Sequence, residues 1–260
     1  MKEVRGESKK GQVTVFVIIA LLIIVFGVLI YIFYPGLNST VTGIEENPKL
    51  YLQDCVEDVL SENVETISSQ GGSMEPDSSF IYNGVPIEYL CYSSDPYAPC
   101  TPQRALLVIH IEEEIKTSTK DKVSSCFDQM AVDYRGKGYD VNLNKGDFDV
   151  TLAPNKIILT SATRFEITKD SVQKYESFDV ILDNNLFELA SLARTIIIWE
   201  KNEGTADPFY IMNWYPGRFD IKKVSPDGGK TAIWTIEDLN TEDTFRFASS
   251  ETEWPLGIEG

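Results

Sequence analysis

Four cysteines carry the most definite chemistry in this chain: Cys55, Cys91, Cys100 and Cys126. An even number reads as disulfide pairing in an oxidising compartment, and four cysteines allow three pairings. Free buried thiols are the alternative. There is no C-x-x-C, and His110 is the only histidine, which speaks against a zinc site of ordinary ligand spacing. His110 sits among Val108, Ile109 and Ile111, where a packed or interfacial imidazole is the expected reading over a catalytic base. The carboxylate pairs Asp147/Asp149 and Glu112/Glu113/Glu114 have the composition of an acid–base or calcium site. In so acidic a chain, however, such runs arise by chance. The aromatics Tyr210, Trp214, Tyr215, Trp234 and Trp254 could line a glycan-binding face, although packing in the core and between strands is their commoner use. No G-x-S-x-G, phosphate-binding glycine loop or H-E-x-x-H is present. The residues therefore predict no catalytic site, no metal and no cofactor, and a protein that is not an enzyme.

The elements that must position these residues follow from periodicity. Leu52, Cys55, Val56, Val59, Leu60, Val64 and Ile67 recur at three and four, and predict a helix from Asn47-Pro48 to Gly71-Gly72. A second helix is expected from Ala105 to Met130 on the stripe Val108, Ile111, Ile115, Thr119, Val123, Cys126, Phe127 and Met130. Its opening LLVIHI suits a strand equally well. Alternating stretches predict strands at 139–143, 148–152, 156–160, 163–168 and 178–182. A third helix is expected after Asn184-Asn185, ending near Gly204, and further strands at 219–224, 231–237 and 244–248. Strands and helices in runs, without regular alternation, indicate an α+β domain with about three helices and antiparallel strands. A Cys55–Cys126 bridge would then join two apolar helix faces. That would leave Cys91 and Cys100 to close the polar loop YSSDPYAP.

From Val13 to Tyr34 the chain runs 22 residues without a charge. As a helix this covers roughly 33 Å, enough for a hydrocarbon core of about 30 Å. One N-terminal transmembrane helix is therefore expected. Lys2, Arg5, Lys9 and Lys10 precede it and no Lys or Arg follows until Lys49, which places the N-terminus in the cytoplasm and the rest outside the cell. The organisation expected is a basic leader at 1–11, a membrane helix at 12–35, a polar spacer at 36–46, an exported domain at 47–255 and a tail at 256–260. The spacer holds a glycosylation sequon at Asn38. Net charge is −17, so nucleic acid, itself a polyanion, is not an expected partner. Lysine outnumbers arginine, so the acidity does not read as adaptation to high salt.

Lys9-Lys10-Gly11-Gln12 against this apolar run resembles the class III signal peptide of archaeal type IV pilin-like proteins and archaellins. The resemblance implies that a prepilin peptidase recognises Lys9 and Lys10 and cuts between Gly11 and Gln12. It implies that the segment Val13–Tyr34 then contacts membrane lipid or the same segment of neighbouring subunits. One position departs from the family. Pilins often carry a glutamate, associated with subunit docking, where this chain has Phe16; archaellins manage without it. YLQDCVEDVLSENVETISSQGG, KVSSCF, DFDVTLAPNKIIL and WTIEDLNTEDTFRFAS also look like pilin-like membrane proteins of small-genome archaea. This wider resemblance supports a Cys55–Cys126 disulfide and brings no known activity with it. The function expected is a cell-surface structural or adhesive protein, self-assembled in a filament or anchored singly. The alternative is a monomeric membrane-anchored binding module for a solute or glycan.

Overall fold

A computed structural model describes residues 47–251. The chain divides between Asn47 and Pro48, and the architecture described is that of the second unit. Helix α1 (Pro48–Ser69) buries Leu52, Val56, Leu60, Val64 and Ile67, one residue per turn. Glu57, Asp58, Ser61 and Glu62 remain on its solvent side. Its end is fixed by two glycines. Gly71 has φ +90°, and a Cβ there would lie 2.9 Å from Glu88 Cβ, so both backbone conformation and close approach require glycine.

Helix α2 (Leu107–Gly136) packs along α1 and buries Leu107, Ile111, Ile115, Thr119, Val123, Cys126, Phe127, Met130 and Tyr134. The ambiguous opening LLVIHI is helical. Spacings of four put Leu107, Ile111 and Ile115 on one face, while Ile109 is exposed. The helix outruns Met130 because Ala131 and Tyr134 prolong the buried stripe. Helix α3 (Leu186–Glu203) buries Leu189, Ala190, Ala193, Ile196 and Ile197, and ends at Gly204 with φ 75°. A fourth helix, α4 (Pro208–Met212), is a single short turn.

The largest sheet has the order β1 (Ser79–Tyr82), β2 (Val85–Tyr92), β12 (Thr244–Ser250), β11 (Thr231–Asp238), β10 (Phe219–Val224), with β3 (Thr101–Pro102) beside β2. Its pairs are antiparallel except β2 with β12, which run parallel at Ala248↔Tyr89 and Ser249↔Cys91. Two smaller antiparallel sheets order β4 (Asp140–Asn144), β7 (Arg164–Thr168), β8 (Val172–Tyr175) and β5 (Phe148–Ala153), β6 (Lys156–Ser161), β9 (Phe178–Asp183). Helix α1 packs on β9 and β12, α2 on β4 and β5, and α3 on β11 and β12. One continuous apolar core results. A small second cluster, Ile87, Ile233 and Ala248, is covered by Phe80, Tyr82, Val85 and Tyr89.

The expectation of one membrane helix ahead of a three-helix domain is corrected. The described residues hold four helices, and none of them is long and apolar enough to cross a membrane. The reason is amphipathicity: α1 carries Asp54, Glu57, Asp58, Glu62 and Glu65, and α2 and α3 are charged along their outer faces as well. The stretch Val13–Tyr34 lies outside the described residues. The fourth helix escapes the sequence reading because five residues are too few to show a period.

Candidate functional site

Helix α4 owes its place to local chemistry. Asp207 caps it, accepting from the Phe209 N–H at 2.8 Å, and Pro208 supplies a pre-set φ in the first turn. Buried Ile211 pins the turn to the domain. The opposite side carries Phe209 and Tyr210 outward, 75% and 54% exposed, with Trp214 just beyond at 50%. Trp199 of α3 completes a triangle. Its ring centroid lies 4.9 Å from Trp214, edge to face, and 5.3 Å from Tyr210, while Tyr210 and Trp214 are 5.4 Å apart. Rings packed this closely fill one another's faces, so the group is a continuous platform and not a cage. Tyr215, next in the chain, packs edge to face on Phe219, over which the Arg218 guanidinium lies at 4.8 Å.

The five aromatics singled out in the sequence therefore separate. Tyr210 and Trp214 lie on this surface, while Tyr215, 40% exposed, packs against buried Phe219. Trp234 is fully buried, its indole N–H donating to Ser249 Oγ at 3.2 Å. Trp254 lies outside the described residues, as do Lys9, Lys10, Gly11, Gln12 and Asn38. Trp199 and Phe209 were missed; the Asp207-Pro208 helix-start signal before an aromatic pair could have drawn attention to them.

The cysteines are paired. Cys55 bridges to Cys126, joining α1 to α2 across a sequence separation of 71, and Cys91 bridges to Cys100 across nine. Such pairs are consistent with an extracellular protein.

His110 belongs to a polar cluster at the start of α2. Ser73 Oγ donates to Glu88 Oε2 at 2.5 Å and lies 2.8 Å from His110 Nε2. With its proton committed to Glu88, the serine accepts from the imidazole, which must carry hydrogen on Nε2. Arg104 donates through Nε to Glu88 Oε1 at 2.8 Å and reaches Asp77 Oδ2 at 3.1 Å. The histidine stands at the end of this chain of bonds; in a nucleophilic triad it would stand between serine and carboxylate. Ser73 and Glu88 are each 2% exposed, so the hydroxyl has no open face. Burial, with the Arg104 charge, holds the His110 pKa below its ordinary value, against the opposing pull of Glu88, Glu114 and Asp77. The cluster ties the end of α1, β2 and α2 together.

The carboxylate runs are dispersed or neutralised. Lys116 Nζ lies 2.8 Å from Asp149 and 3.5 Å from Asp147. The bond from the Phe148 N–H, then the Lys116 charge, holds Asp147 below the usual carboxylate range. Glu112 accepts from the Leu152 N–H at 2.8 Å and Glu114 from the Met74 N–H at 2.9 Å, so the two serve different segments. Among the described residues, no group of three or more His, Cys, Asp or Glu is placed to hold a metal ion. The class these observations define is a doubly disulfide-bridged α+β domain with an exposed aromatic platform. No family model, no curated protein and no solved structure matches the chain.

Proposed function

We propose that the chain is a cell-surface structural or adhesive protein of the type IV pilin-like type, working outside the cell through the domain that begins at Pro48. The observation that carries this reading is the aromatic platform of Trp199, Tyr210 and Trp214, with Phe209 beside it. A contiguous exposed aromatic patch on an otherwise acidic surface marks a place where another molecule is contacted. The two disulfides support an oxidising location, and the Lys9-Lys10-Gly11-Gln12 junction supports retention or assembly at the surface after cleavage by a prepilin peptidase. Native cells carrying Trp214→Ala should display the protein at the wild-type level yet adhere several-fold less. Adhesion unchanged by Trp214→Ala combined with Tyr210→Ala would remove the platform from this role. The mature N-terminus should be Gln12 by mass spectrometry, and Gly11→Val should block that cut. A chain still beginning at Met1 would leave the pilin-like part of the reading without support.

A second reading, a surface module that binds a solute or glycan, is favoured by one further observation. A concave site lies beside the Cys91–Cys100 turn, at the ends of β2, β11 and β12.

A further inference from the structure

The site beside the small disulfide is a cavity of about 380 Å³, which falls in the range of roughly 300–1,000 Å³ typical of small-molecule sites. Two rings form an aromatic corner. Tyr92 stands edge to face with Tyr89, at 5.2 Å between centroids and 66° between planes. Tyr92 is 42% exposed, so part of its ring is open to a ligand, whereas the Tyr89 hydroxyl is held by Thr231 Oγ1 at 2.8 Å. Opposite the corner are small hydroxyls and two charges. Ser250 Oγ accepts from the Ser93 N–H at 2.8 Å, which leaves its own hydrogen to offer. Lys230 lines the rim. Glu251 is steadied by Lys223 at 3.1 Å and by the Ser225 hydroxyl.

Each wall is fixed by a covalent bridge or by hydrogen bonds to the main chain. The Cys91–Cys100 bridge and the pairing Tyr92↔Thr101 hold the wall that carries Tyr92 and Ser93. Within the turn, Asp95 accepts from the Tyr97 N–H at 3.0 Å. On the far side Asp227 accepts from the N–H groups of Lys230 at 3.1 Å and Thr231 at 2.8 Å, and Lys230 O accepts from Glu251 N–H at 2.8 Å. An open site with one stacking face and several convergent hydroxyl, ammonium and carboxylate groups fits a polyhydroxylated ring. The carboxylate in the wall and the net charge of −17 oppose an anionic ligand.

Resting on the reading of the chain as a binding module, we propose that this cavity binds a neutral saccharide ring, stacked on Tyr92 with its hydroxyls towards Ser93, Ser250 and Glu251. The Cys91–Cys100 bridge acts as a positioning device for that site. The test is saturation-transfer NMR on the full chain with methyl glycosides of glucose, galactose, mannose, N-acetylglucosamine and glucuronic acid. At least one neutral glycoside should receive transfer at its ring C–H protons. Tyr92→Ala should reduce its affinity at least ten-fold, Tyr92→Phe should retain it, and Trp214→Ala, on the separate platform, should leave it unchanged. Cys91→Ser combined with Cys100→Ser should weaken binding while the far-UV spectrum stays native. Tyr92-dependent transfer to the glucuronide alone would overturn the neutral assignment and leave the binding-module reading standing. Loss of binding in Trp214→Ala in place of Tyr92→Ala would overturn the site. Unaltered binding in the double cysteine variant would overturn the role given to the bridge. No transfer to any of the five would overturn the saccharide site and leave only a module for a non-saccharide solute.

Discussion

Cys55–Cys126 joins two apolar helix faces across 71 residues, whereas Cys91–Cys100 closes a polar turn across nine. Close to the first in sequence, Val56, Val123 and Phe127 are buried, and the Tyr51–Asp133 hydrogen bond of 2.7 Å also links α1 to α2. The second bridge is buried at the edge of the core beside Leu90, but the turn it closes is ordered by polar groups such as Asp95, and further back along β2 Glu88 belongs to the Ser73–Glu88–His110 cluster. Identical covalent chemistry thus has two uses. A bridge that closes a long loop restricts the unfolded chain, and one that closes a short loop chiefly fixes local shape.

The largest expected effect follows from loop length. Replacing Cys55 and Cys126 together with Ala removes a closure worth about 4 kcal/mol on the chain-entropy estimate. A pronounced drop in denaturant midpoint is expected, and a loss no larger than that from the small bridge would break the comparison. Replacing Cys91 and Cys100 with Ala should cost less, about 2–3 kcal/mol at most. Hydrogen exchange should place the change in β2, β3 and the turn between them, with α1 and α2 still protected.

Acid should sharpen the contrast by a smaller amount. The fold favours neutral His110, so the folded pKa lies below the unfolded value near 6.5. The stability this group contributes is present above pH 6.5 and is lost as pH falls through the folded pKa. Melts between pH 7.5 and pH 5 should show a decline that His110→Gln reduces. Protection should fall first near Ser73 and β2. The smallest effect on stability is expected at the platform. Trp214 is half exposed, and Trp214→Ala should forfeit little beyond its edge-to-face contacts, about 0.5–1.5 kcal/mol, while Trp234→Ala in the core should cost about 3–5 kcal/mol.

Periodicity made α1 and α3 legible, and β10 falls at Phe219–Val224, where alternation places it. Strand β1 went unread although Asn83-Gly84, with φ 51° and 84°, is a strong two-residue hairpin signal. Strand β8 offers Val172, Gln173 and Lys174 to solvent, so it has no buried face to betray it. The aromatic residues show where local pattern stops. Trp214 and Trp234 each stand beside apolar residues, yet one follows a five-residue helix and the other lies on a central strand buried on both faces. Ser73, Glu88 and His110 meet only because the end of α1, β2 and α2 are packed together, and no spacing along the chain announces that.

The most direct test is non-reducing peptide mapping of the protein isolated from its native cells, with free thiols blocked at lysis. Crosslinked peptides pairing Cys55 with Cys126 and Cys91 with Cys100 are the predicted result, as an oxidising location outside the cell requires. Four alkylated, unpaired cysteines in that material would contradict both the division of labour between the bridges and the proposed location of the domain outside the cell.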